Sequence, residues 1–300
     1  IRRPPRSTLD RSSAASDVYK RQIPYNPSSI GYIEKSEAYF SQVDYLAGIT
    51  HGVLTYGTRI GPSNFIGLHL FYLDSGPMAV TTEEFPDGTG EDFNVMSLAA
   101  RGTFARNLTD RLKVGGTINY IRDKIAETQM QTISYDIGSN FQTGIYSTVL
   151  GMSITNFGPE VQYSGEDLTV QVPDTTDVDG SLQRITDKFP LPLTFRLGIM
   201  NRLMGADSPF FKSDKHTLIV SVDGIKPSDY TVYSCLGLEY GWQDLAFVRV
   251  GTHLNHDTAG LSLGAGANIR LGRMIMTVDY AFVDYDILNH TNQIAIGLKF

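Results

Sequence analysis

A chain of 300 residues carrying 19% charged residues and a formal charge of −7 is long enough for one large domain or two ordinary ones. Its acidity, with no basic patch interleaved with aromatics, argues against a nucleic-acid partner. The single cysteine, Cys235, excludes an internal disulfide and a cysteine-based zinc site. No run reaches the ~18 apolar residues of a membrane helix, which leaves a membrane barrel open because every second residue of its strands faces inward.

Residues 1–22 (IRRPPRSTLDRSSAASDVYKRQ) are polar and basic, with six Lys/Arg and two Asp and no periodicity. The stretch lacks the apolar core of a signal peptide and reads as a non-native adapter-derived or disordered segment. The true N-terminus and any signal peptide are then expected to be missing from this sequence. Residues 23–35, opening on Ile23-Pro24-Tyr25-Asn26-Pro27-Ser28, are turn-rich and are expected to form a periplasmic N-terminal segment, the remnant of a plug.

From 36 to 300 about fourteen stretches have strand character: 36–46, 49–60, 64–74, 93–106, 111–124, 130–142, 145–157, 190–203, 214–225, 231–242, 245–255, 259–271, 273–284 and 291–300. Most match the ~9–11 residues of tilted membrane strands better than the ~5–6 of soluble ones. Met96, Leu98, Ala100 and Phe104 share one face, with Ser97, Arg101 and Thr103 opposite. Leu236, Leu238, Tyr240 and Trp242 likewise oppose Cys235, Gly237 and Glu239. The links alternate: tight at Gly61–Ser63, Asn107–Asp110, Thr143-Gly144, Gln243-Asp244 and Gly272-Arg273, long at Ser75–Asp92 and Gly158–Phe189. Short periplasmic turns and longer outer loops alternate in this way in outer-membrane barrels. The link Met204–Ser213 falls on the short side without being short.

The last strand ends on an aromatic terminus, with Ile294, Ile296, Leu298 and Phe300 on one face, and resembles the C-terminal insertion signal that the barrel assembly machinery reads. Asn26-Pro27, Thr155-Asn156-Phe157-Gly158-Pro159, Leu193–Gly198, and the run from His216 through Asp223, Lys226–Asp229 and Leu236–Tyr240 to Val248–Gly251 together resemble the PorV/PorQ family of FadL-like outer-membrane β-barrels. The resemblance departs mildly at Ser28, where the family has Ala, and at Phe157, where it has Leu. It implies a bacterial outer-membrane barrel in contact with lipid. The implied role is passing a hydrophobic small molecule, or partnering a secreted protein of the type IX pathway.

By alternation Arg101, Asp136, Arg196, Asp223, Glu239, Arg249 and Asp279 point away from lipid, as the ~2–4 kcal/mol cost of a mid-membrane Arg or Lys on the lipid face demands. Two readings stand: a polar path contacting a solute, or paired charges bracing the lumen, with Asp223 and Glu239 sharing Arg249. Gly264 and Gly266 on the inward face of strand 12 leave room for a plug, a solute or a lateral opening, or mark a bend or close backbone packing. In the long loops Met78, Phe85, Tyr163, Leu168 and Val170 are the candidates for contact with a partner. His253 and His256, three apart, fall on opposite strand faces, so only a loop conformation brings them together; no metal is expected. Asp174–Gly180 is similar to a calcium loop, but the register closes on Thr186 where a bidentate Glu is required, and a solvated acidic loop reads better. No nucleophile motif accompanies the scattered histidines, so neither an enzyme nor a cofactor is expected. The fold class is all-β: a transmembrane antiparallel barrel of about 14 strands, FadL-like.

Overall fold

The computed structural model of the chain describes residues 24–45, 48–172, 180–183, 186–256, 260–285 and 290–300; the segment 1–22 lies outside the described residues. Among the described residues fourteen long strands stand where the alternation places them. They are β1 (Ser36–Asp44), β2 (Thr50–Arg59), β3 (Asn64–Asp74), β4 (Val95–Asn107), β5 (Leu112–Ile125), β6 (Thr128–Gln142) and β7 (Val149–Phe157). The second half comprises β8 (Thr194–Gly205), β9 (His216–Pro227), β10 (Tyr233–Trp242), β11 (Ala246–Leu254), β12 (Leu261–Leu271), β13 (Met274–Asp284) and β14 (His290–Lys299). Each pairs antiparallel with its chain neighbours, β7 joins β6 to β8, and β14 pairs with β1 from Glu37↔Lys299 to Asp44↔Asn292. The sheet thus closes into an antiparallel barrel with no exposed edge.

Period-two alternation dictates what each face presents. In β10, Tyr233, Cys235, Gly237, Glu239 and Gly241 are buried while Leu236, Leu238, Tyr240 and Trp242 are exposed. Around the wall Leu54, Leu68, Phe104, Ile118, Ile137, Leu197, Val248 and Ile294 stand outside. Ser41, Thr55, Asn119, Ser134 and Thr277 are buried inside. This inverts a water-soluble barrel. Full burial of a Leu or Ile side chain is worth ~1.5–3 kcal/mol, so a wall of such residues is driven from water into hydrocarbon.

The two ends differ. At the turn end Gln243-Asp244 and Gly272 connect strands with positive φ. The longer link after β8 folds back on itself: Ser208 Oγ donates to the Arg202 and Leu203 carbonyls at 3.0 and 2.8 Å. Phe211–Lys212 then lies parallel beside Met204-Gly205, and Phe210 stacks on Tyr146 at 5.4 Å. At the loop end, 75–94 carries a small hairpin pairing Met78–Ala79 with Asp92–Phe93. The β5–β6 connection at this end is tight, through Ala126 at φ 50°.

Candidate functional site

The segment before β1 enters the barrel. Asn26 accepts from Ser28 N at 3.1 Å and caps a 3₁₀ helix, Pro27–Tyr32, with Pro at its first position as the fixed φ of proline favours. The helix lies on inward positions occupied by glycine. A β-carbon at Gly67 would sit 2.5 Å from Ile30 Cδ1, one at Gly57 2.5 Å from Ile33 Cδ1, and one at Gly138 would overlap Asn26. Ile30, Ile33, Phe65 and Ala105 form a small apolar core there. Polar anchors complete the seat: Asn140 Nδ2 donates to Ser28 Oγ (2.8 Å), Lys113 Nζ to the Gly31 carbonyl (3.1 Å), and Asn26 Nδ2 to the Ser139 carbonyl (3.1 Å). Alternation points Lys113 and Asn140 inward, but only the fold supplies their partner. Burial pushes the Tyr32 phenol up to about 12, against a smaller opposing effect of its hydrogen bond with Gln142.

Along the barrel axis the inner wall changes chemistry. At the loop end it is apolar and aromatic. Met130, Val161 and Leu191 pack with Tyr163 and Phe189; Ile225, Tyr233 and Cys235 pack with Tyr230; Val283 packs with Tyr285, whose ring meets Tyr45 edge-on at 6.4 Å. His253 and His256 join the second group with ring centroids 5.6 Å apart. The strand ends at Leu254, and Asn255 at φ 63° turns the chain so that the two rings converge. Among the described residues no group of three or more His, Cys, Asp or Glu could hold a metal ion. The stretch 174–179 of the calcium-like motif lies outside the described residues.

The middle of the lumen carries the charges expected there. Arg101 and Asp136 are buried and face each other electrostatically, and Arg101 Nη1 donates to the Pro24 carbonyl at 3.2 Å. Asp136 also accepts from the Asn156 amide at 2.8 Å, where β7 bulges with Asn156 at φ 62°. The Arg196 guanidinium lies 4.6 Å from the centroid of Tyr25 and is the cation that faces Asp223. Arg249 binds two carboxylates, Glu239 at 2.7 Å and Asp279 at 2.8 Å, all three largely buried. The expected sharing of Arg249 by Asp223 and Glu239 is therefore corrected: the second partner is Asp279. The register explains it. Asp223 lies opposite Cys235 while Glu239 lies opposite Ile219, four residues further towards the turn end. Gly264 is the direct partner of Arg249, and a β-carbon at Gly266 would overlap Asp279, so Gly266 makes room for the ion bridge.

At the turn end a cavity of about 690 Å³ opens beside the N-terminal segment, lined by Tyr32, Gln142, Arg202, Lys215, Arg249 and Arg270 among others. The loop candidates are scattered. Met78 pairs with Phe93, Phe85 is exposed, and Leu168 ends a short 3₁₀ turn. Tyr163 is turned inward, stacked on Phe189 at 5.8 Å. Val170 lies in a short strand, Thr169–Val172, whose side chains lie outside the described residues. On β14, Ile294, Ile296 and Phe300 are exposed on the outer face, with Leu298 between them.

No protein-family model and no curated protein matches the chain. Solved structures match it in fold. The Pseudomonas putida toluene transporter TodX aligns over 96% of this chain and 96% of its own, with a TM-score of 0.57 at 11% identity. The Ralstonia pickettii toluene transporter TbuX aligns over 95% and 94%, with a TM-score of 0.55 at 12% identity. A Pseudomonas aeruginosa FadL homologue aligns over 95% and 96%, with a TM-score of 0.55 at 11% identity. The chain has the FadL-like barrel fold.

Proposed function

We propose that this chain is a bacterial outer-membrane conduit of the PorV/PorQ type for hydrophobic or amphipathic small molecules. The observation that carries the reading is the graded inner wall: aromatic and apolar at the loop end, hydrogen-bonding and charged in the middle, with a charged cavity at the turn end. The apolar outer wall supports a lipid surrounding, and the long loops then face outward with the turns in the periplasm. The fold shared with TodX and TbuX agrees with transport. Expression of the full chain behind an export signal tests it: cells carrying the barrel are expected to take up radiolabelled toluene faster than cells carrying an empty vector. Equal rates in cells that display the folded barrel overturn the reading.

A second reading, a shuttle for type IX secretion substrates, is favoured by one feature. Phe85 stands 57% exposed in the loop that carries the 78–93 hairpin, outside the lumen. A native mass spectrum of the gently extracted barrel separates the two. A stoichiometric secreted protein that is lost in Phe85→Ser supports the shuttle. A small hydrophobic adduct supports the conduit.

A further inference from the structure

One row of the inner wall is polar, fully enclosed and incompletely satisfied. Thr55, His69, Arg101, Asn119 and Ser134 are successive cross-strand partners on β2 to β6. His69, Arg101 and Asn119 are 1%, 5% and 0% exposed. Part of their capacity is used: Thr55 Oγ1 lies 2.8 Å from His69 Nδ1, Arg101 reaches Pro24, and Asn119 Nδ2 donates to Ser134 Oγ at 3.1 Å. Among the described residues His69 Nε2, Arg101 Nε and Asn119 Oδ1 have no hydrogen-bond partner. A buried polar atom left so is costly, and three in one row form a site for a hydrogen-bonding group.

The rows on either side say where such a group comes from. Towards the loop end the next inward positions on β2 to β5 are Val53, Phe71, Ala99 and Ile121, all apolar, with Ser41 on β1 and Thr132 on β6 at the two ends of that row. Towards the turn end the next row begins with Gly57 and Gly67, which the plug covers through Ile30. A solute passing inward from the aromatic mouth therefore crosses this apolar stretch and meets the polar row at the level where Arg101 holds Pro24 of the N-terminal segment.

The orphan atoms select the chemistry. Arg101 Nε–H only donates, Asn119 Oδ1 only accepts, and His69 Nε2 does either according to tautomer. A hydrocarbon satisfies none of them. A carboxylate only accepts, so it would set negative charge against Asn119 Oδ1, and the charge of Arg101 is already opposed by Asp136. A hydroxyl oxygen accepts from Arg101 and donates to Asn119 at once; an amide does the same with two atoms. We infer that the row His69–Arg101–Asn119 is a binding site for a neutral hydroxyl or amide at the polar end of an otherwise apolar solute. The inference rests on the conduit reading and narrows its substrate class.

Three probes with one ring test it: phenol, toluene and benzoate, each equilibrated by dialysis against the full chain in detergent, with protein-free micelles as the blank. Phenol is expected to bind about tenfold or more tightly than toluene, and benzoate most weakly. Asn119→Leu is expected to bring phenol down to the level of toluene, with heat-modifiable gel mobility reporting that the variant barrel is folded. Benzoate binding tightest would overturn the inference in favour of an anion site. Equal binding of phenol and toluene, or a preference that survives Asn119→Leu, would overturn it in favour of atoms that serve only water. Toluene bound without a preference for phenol fails this inference alone; if none of the three binds, the conduit reading falls with it.

Discussion

Gly115 and Pro27 approach so closely that a β-carbon on the glycine would fall 2.6 Å from the Pro27 carbonyl carbon. The obstacle is backbone, which cannot rotate away as a side-chain tip does. Gly115→Ala is therefore expected to lift the plug from its seat while the strands persist. Planar bilayers holding the variant should show an ionic conductance well above the parent, with heat-modifiable gel mobility retained. An unchanged conductance would mean that the plug does not close the lumen.

The Arg249 bridge predicts an asymmetry among its own variants. Arg249→Ala removes the cation shared by Glu239 and Asp279 and leaves two enclosed carboxylates side by side, a loss of about 3–5 kcal/mol. Replacing all three together, with Met at 249, Gln at 239 and Asn at 279, removes the charges as well as the pairing and is expected to cost far less. Urea midpoints of the refolded barrels measure both.

Leu68, 62% exposed in the middle of β3, tests the outer wall. On a water-soluble surface Leu68→Arg would be close to neutral. Facing hydrocarbon it is expected to cost about 2–4 kcal/mol, read as a lowered denaturant midpoint for folding into lipid vesicles. An unchanged midpoint would place this face outside the bilayer core.

Tyr32 gives the N-terminal segment a signature at high pH. Its phenol ionises at about 12 in the folded protein against 10.0 when exposed. The stability this contributes is fully present below pH ~10 and is lost as pH rises through about 12, because the unfolded chain releases the proton first. Tyr32→Phe is expected to flatten that alkaline limb of the stability profile.

Much of this architecture is legible in the residues. Strand positions follow from alternation alone, since a period of two with apolar residues such as Leu236 and Leu238 on one face has few other meanings. The inward direction of Arg101, Asp136, Glu239 and Arg249 follows from the same rule. The pairing of Arg249 with Asp279 does not. It depends on the stagger between strands, and Asp279 stands two strands away across Gly264 and Gly266. The seat of the plug was hidden for a related reason. Gly57, Gly67, Gly115 and Gly138 lie on four strands, and singly each reads as a bend or a weak point; only the closed sheet shows that they form one surface. His253 and His256 were placed apart by strand geometry, which stops applying at Asn255. The row His69–Arg101–Asn119 carries no motif at all, because its members are 32 and 18 residues apart in sequence and meet only through register.

The position of the plug's seat also orders the assembly of the molecule. Every glycine at which a β-carbon would fall within 3 Å of the segment belongs to β2, β3, β5 or β6, and the hydrogen bonds that hold Asn26, Ser28 and Gly31 reach no further than β7, while Tyr25 ahead of them meets Arg196 of β8. The seat of residues 26–33 is therefore complete once the first half of the sheet has formed, while the seam between β1 and β14 is still open. The segment can be laid onto a half-built wall from the side. Once β14 zips against β1, removing the segment sideways would require that seam to part again, so its retention is secured by topology as well as by its hydrogen bonds.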